Sequence, residues 1–144
     1  MTAKSILIVE DEIMVAMDIE RILVDAGYHV IAIASDKMQA ISAGAKADAA
    51  FIDLNLRDGP TGPQIALELA QQYGTKVVYV TANPAQIELP APTSIGYIRK
   101  PFSDPAILAA AALALEGRDS DHEDLVRFAA PMLAGSAPNL ESSL

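Results

Sequence analysis

Five apolar, largely β-branched runs alternate along this chain with longer stretches of helical period, the pattern of βα units wrapped around a parallel sheet. The runs are Ser5 to Val9, Tyr28 to Ala34, Ala49 to Ile52, Lys76 to Val80 and Ser94 to Ile98. Most of their residues are apolar, as strands buried on both faces require. The first helix follows the acids at 10 to 12, with Ala16, Ile19, Leu23 and Ala26 on one face and Gly27 at the stop position. The second is predicted from an Asp36 N-cap to Lys46, and the third from near Pro63, carrying Ile65, Leu69 and Tyr73 before Gly74. Asn83-Pro84 opens the fourth connection and Pro90 and Pro92 close it, leaving room for a short or irregular helix of roughly two turns. Ser103-Asp104-Pro105 starts the last helix, whose alanine-rich body runs to Gly117. Right-handed crossovers turn such a chain into an α/β fold, a doubly wound five-stranded parallel sheet that gathers ligands at the carboxyl ends of its strands.

Composition narrows the chemistry. At 144 residues, with 51% apolar and 20% charged side chains, the chain has material for one packed domain, expected over residues 1–117. With no cysteine, disulfides, thiol nucleophiles and thiolate metal sites are excluded, and His29 and His122 are too few for a histidine-rich centre. His29 is expected at the surface and His122 in the tail. Any metal must be held by oxygen. A net charge of −9 without a basic cluster repels phosphate backbones and anionic lipid, so no direct contact with nucleic acid or membrane is expected. The longest uncharged stretch, Phe128 to Leu140, contains two prolines and falls short of the roughly 18 residues a spanning helix needs. The apolar run Ile6 to Val9 is too short for a signal peptide, so a cytoplasmic location is expected. Residues 118–144 form an acidic tail, expected to be partly flexible, in which Leu125, Phe128, Ala129, Met132 and Leu133 fall at helical spacing. That spacing predicts a short helix that docks on a partner or packs on the domain.

The polar residues at the strand ends carry the functional reading. Strand one ends in Glu10-Asp11-Glu12, strand three in Asp53, strand four in Thr81 and strand five in Lys100-Pro101. Taken singly, each has an ordinary structural explanation as a helix-end acid, cap, strand residue or surface charge. Taken together, carboxylates converging from neighbouring strand ends repel one another unless a cation neutralises them. Mg²⁺ suits such a site, because it takes one or two carboxylates and keeps positions for water and a phosphate oxygen. Lys100 and Thr81 then supply a fixed positive charge and a hydroxyl donor for phosphoryl oxygens. Asp53, held between Phe51, Ile52 and Leu54, is the candidate nucleophile and would become an acyl phosphate.

In Ile6-Leu7-Ile8-Val9-Glu10-Asp11-Glu12, Asp53-Leu54-Asn55-Leu56 with Asp58-Gly59 and Gly62, Thr81-Ala82, and Tyr97-Ile98-Arg99-Lys100-Pro101-Phe102, the chain resembles the receiver domain of two-component response regulators. The resemblance covers residues 4 to about 117 and implies the flavodoxin-like strand order 2-1-3-4-5. It implies Asp53 as the phosphoacceptor, and Mg²⁺ held by Asp11, Asp53 and the backbone carbonyl of Asn55, with Glu10 acting through water. It further implies Thr81 and Lys100 on the phosphoryl group, a cis Lys100–Pro101 peptide, and Tyr97 as an aromatic switch coupled to the Thr81 hydroxyl. Two departures stand out: Glu10 as the first acid, and a 19-residue span from Thr81 to Lys100 that curtails the fourth helix. Met14 and Met17 read as packing residues.

The resulting expectation is a stand-alone receiver, a phosphoacceptor rather than a conventional enzyme. Its phosphoryl donor would be a sensor histidine kinase or a histidine phosphotransfer protein, and its output would pass through contact with an unidentified protein. A phosphate sink uses the same residues. An aspartyl-phosphate phosphohydrolase is disfavoured, because the position two after the nucleophile is Asn55, which cannot serve as general acid.

Overall fold

The computed structural model describes residues 3–129. Strands β1 (Ser5–Val9), β2 (His29–Ala34), β3 (Ala49–Ile52), β4 (Lys76–Thr81) and β5 (Ser94–Arg99) pair in parallel in the order β2-β1-β3-β4-β5. This is the flavodoxin-like order. A sixth strand, β6 (Leu125–Arg127), adds antiparallel to the β5 edge.

The alternation of side chains along each strand divides the core in two. Ile6, Ile8, Phe51, Val78, Val80 and Ile98 face helices α1 (Ile13–Asp25) and α4 (Asp104–Glu116). Leu7, Val9, Ile52, Val77 and Tyr79 face α2 (Lys37–Gly44) and α3 (Gly62–Tyr73). Ile6 through Val9 are all fully buried, which is why β1 reads as an unbroken apolar run. The predicted starts have the expected chemistry: the Asp36 carboxylate accepts from the Gln39 N–H at 2.9 Å, and Ser103 Oγ accepts from the Ala106 N–H at 3.3 Å. Among the described residues no helix is long and apolar enough to cross a membrane.

Several local expectations are corrected. Helix α1 buries Ala16, Ile19, Ile22 and Leu23, while Ala26 is its exposed C-cap. Tyr73, the last residue of α3, is exposed rather than part of the buried face. Met14 and Met17 are not packing residues: they are 77% and 52% exposed, on the side of α1 turned away from the sheet. The prolines of the fourth connection leave only a four-residue 3-10 turn, Pro84–Ile87.

The tail segment around Leu125 is a strand, not a helix. An edge strand offers unpaired N–H and C=O groups, and tertiary pairing with β5 together with burial of Leu125 outweighs a weak local helical spacing. The sheet therefore continues past residue 117. Met132 and Leu133 lie outside the described residues.

Candidate functional site

The carboxyl ends of β1, β3, β4 and β5 converge on one pocket. Main-chain hydrogen bonds fix its floor: the Asp53 N–H donates to the Val9 carbonyl at 2.8 Å, and the Lys100 N–H to the Thr81 carbonyl at 2.9 Å. Each strand thus delivers its last side chain at the same level. From behind, the start of α3 presses on the Asp53 loop. A Cβ on Gly62 would fall on the Asp53 carbonyl oxygen and 2.5 Å from Leu54 Cα, so only glycine permits this approach.

Carboxylate oxygens of Glu10, Asp11 and Asp53 all lie within 4.8 Å of one another. Glu10, Asp53 and Thr81 are buried, whereas Asp11 faces solvent. Lys100 Nζ sits 2.8 Å from Glu10 Oε1 and 3.4 Å from Asp53 Oδ2, with Glu12 Oε1 farther away at 3.9 Å. One ammonium thus faces two buried carboxylates. Burial is the largest influence on Glu10 and pushes its carboxyl up to about 7; the Lys100 hydrogen bond opposes this and the Asp53 charge adds to it. Burial pulls the Lys100 ammonium down, but the Glu10 hydrogen bond and the charges of Glu10 and Asp53 together leave its pKa above the usual lysine value.

The remaining predicted residues stand around this cluster. Thr81 Oγ1 accepts from the Asn83 N–H at 3.0 Å. Asn55 carries its N–H toward Asp53 Oδ1 at 3.4 Å, and its side chain exchanges two hydrogen bonds with Gln86 of the 3-10 turn, at 2.9 and 3.0 Å. The Lys100–Pro101 peptide is cis. Tyr97 is half-buried and paired with Tyr79 across β4 and β5, on the same sheet face as Thr81 by strand alternation. Its ring meets Phe128, with centroids 6.1 Å apart. Sequence reasoning missed Gln86, which carries no local signal, and placed Phe128 in a tail helix; both reach their partners only through the fold.

Chemically, this is a water-edged acidic pocket with an oxygen-only donor set, a half-buried lysine and a hydroxyl, built at the carboxyl edge of a doubly wound sheet. The protein is thus an α/β domain whose carboxyl-end site suits a hard cation beside an oxyanion. The chain belongs to the response regulator receiver domain family, whose model matches residues 6–112.

Among its relatives, the phyllosphere-induced regulator PhyR of Methylorubrum extorquens is 31% identical over 119 residues, 78% of this chain and 44% of that protein. The PhyR receiver domain of Erythrobacter litoralis superposes with a TM-score of 0.72 at 26% identity, covering 83% of this chain and 95% of the other. The anti-anti-sigma factor PhyR of Bartonella quintana superposes at 0.69 with 29% identity, covering 81% of this chain and 49% of the other. The chain spans less than half the length of the curated relative that it matches.

Proposed function

We propose that the protein is a phosphoacceptor that takes a phosphoryl group from a phosphohistidine onto Asp53 and signals through protein contacts that depend on that modification. The observation that carries this reading is the convergence of the Glu10, Asp11 and Asp53 carboxylates around one half-buried ammonium, Lys100. A cluster of that charge is suited to Mg²⁺, held by Asp11, Asp53 and the Asn55 carbonyl with Glu10 reaching through water; when bound, the ion draws charge off the phosphoryl oxygens.

In the transfer, an Asp53 carboxylate oxygen bonds to phosphorus as the bond from phosphorus to the donor imidazole nitrogen breaks. The imidazole departs with the electron pair. Lys100 Nζ then trades part of its pairing with Glu10 for the phosphoryl oxygens, and the Thr81 hydroxyl donates to them. Thr81 moves toward the new oxygens and Tyr97 turns inward after it, shifting a two-state equilibrium on the β4–β5 side.

The donor fits a sensor histidine kinase or a histidine phosphotransfer protein. Met14 and Met17 of α1, with Pro101 and Phe102, line an open groove of about 890 Å³ that runs up to Lys100. Exposed methionines beside a reactive centre suit an adaptable docking contact. Output is assigned to a protein, because the charge of −9 opposes nucleic acid. The anti-anti-sigma activity of the Bartonella quintana relative belongs to a chain about twice as long, and is not carried over.

The test is chemical. Incubation with a histidine kinase carrying labelled phosphoryl should give an acyl phosphate at Asp53 that hydroxylamine cleaves. A label that survives hydroxylamine, or maps to another residue, refutes the proposal.

A further inference from the structure

Residues 125–128 lie along the β5 edge in a way that other features of the chain accommodate. β6 pairs Leu125 with Ile98, Val126 with Tyr97 and Arg127 with Gly96, and the Phe128 N–H donates to the Ile95 carbonyl at 2.9 Å. Gly96 is the seat. A Cβ there would fall on the Val126 carbonyl oxygen and 3.0 Å from Arg127 Cα, so any other residue would evict the strand. Arg127 closes the segment on itself through a 2.7 Å ion pair with Asp119.

The placement of Phe128 links this segment to the site. Its ring packs against Tyr79 edge-on, with centroids 6.3 Å apart, and against Tyr97 at 6.1 Å. Tyr97 is thereby held from the β6 side, while Thr81 lies two residues beyond Tyr79 on the same face. The hold is light. β6 has three residues, of which only Leu125 is buried, and Val126 is 44% exposed. Short, exposed edge elements open at low free energy.

We propose that residues 119–129 are a latch: they restrain Tyr97 while Asp53 is unmodified, and they leave the β5 edge when Tyr97 turns toward Thr81. Phe128 is then a positioning residue that acts through Tyr97. The proposal rests on the reading of Asp53 as phosphoacceptor. Inward rotation of Tyr97 removes one of the two rings on which Phe128 packs, leaving its edge-on contact with Tyr79 and a three-residue strand with one buried side chain. By reciprocity, anything that loosens the latch favours the modified state to the same degree.

The probe is beryllofluoride with Mg²⁺, a reversible phosphoryl mimic whose binding is read by fluorine NMR. Hydrogen exchange at Val126 and Phe128, whose N–H groups face β5, is followed in parallel. The amides should be protected in the free protein and exchange about tenfold faster or more once beryllofluoride is bound. Binding with unchanged protection overturns the latch and leaves the acceptor site intact. Failure of wild type to bind overturns the acceptor reading, and the latch with it.

Phe128→Ala should tighten apparent beryllofluoride affinity severalfold, and Phe128→Tyr should restore the wild-type value. Gly96→Ala, which evicts β6 without touching an aromatic ring, should act like Phe128→Ala. A segment that only stabilises the fold predicts no gain in affinity in either variant, and that result refutes the proposal.

Discussion

Glu10 offers a quantitative test of the site's electrostatics. It is 2% exposed, and its carboxyl sits near 7 in the folded protein against 4.5 when unfolded, a difference worth about 3 kcal/mol. Because the folded value is the higher one, the folded state holds the extra proton. This contribution to stability is fully present below about pH 4.5 and is lost as pH rises through about 7. Chemical denaturation in chelator should therefore show stability falling across that window by up to about 3 kcal/mol. Asp36 and Asp58 shift the opposite way, held down respectively by hydrogen bonds from Gln39 and Thr61, but they titrate at more acid pH and leave the window clear. Glu10→Gln should flatten the profile. At pH 8 in chelator the variant should exceed wild type by less than the full amount, since Lys100 loses a charged partner. Mg²⁺ favours the ionised form, so metal affinity should rise with pH between 6 and 7.5, by up to about tenfold per pH unit. A wild-type profile that is level or rising from pH 5 to 7.5 in chelator, matched by Glu10→Gln, refutes the reasoning.

Three further perturbations probe the rest of the site. Gly62→Ala should destabilise the protein by about 1–3 kcal/mol in denaturant titration and slow phosphorylation, because the new Cβ pushes on the Asp53 carbonyl; an unchanged rate contradicts the close approach. Lys100→Met should keep the circular dichroism of the fold while cutting the labelling rate from acetyl phosphate about 10²-fold or more, and a wild-type rate would remove Lys100 from the chemistry. Met17→Glu should change stability by less than about 0.5 kcal/mol, since the residue is 52% exposed. It should slow transfer from a phosphohistidine protein but not from acetyl phosphate, and equal slowing of both would show that the groove serves no docking.

What could be read in advance follows from where the information resides. The five parallel strands were legible because two-sided burial writes itself as contiguous apolar runs, such as Ile6 to Val9 and Val77 to Val80. The pocket was legible because a parallel sheet sends every strand's last residue to one edge, so the strand ends alone bring Glu10, Asp53, Thr81 and Lys100 together. β6 was not. Leu125, Val126 and Arg127 carry no clean period of two, and their pairing is decided by Gly96, about thirty residues upstream. Met14 and Met17 were misjudged because spacing alone cannot tell which side of α1 meets the sheet when both sides hold apolar residues; Ile13 is exposed with them. The Asn55–Gln86 amide pair depends on the curtailed fourth connection bringing Gln86 over the β3 loop, a long-range consequence of Pro84 and Pro90.

The central claim is that Asp53 is a metal-dependent phosphoacceptor, and intact mass spectrometry after incubation with acetyl phosphate tests it most directly. Wild type with Mg²⁺ should gain the mass of one phosphoryl group, while wild type in chelator and Asp53→Asn with Mg²⁺ should gain none. Full labelling of Asp53→Asn, or no labelling of folded wild type in the presence of Mg²⁺, would contradict the account.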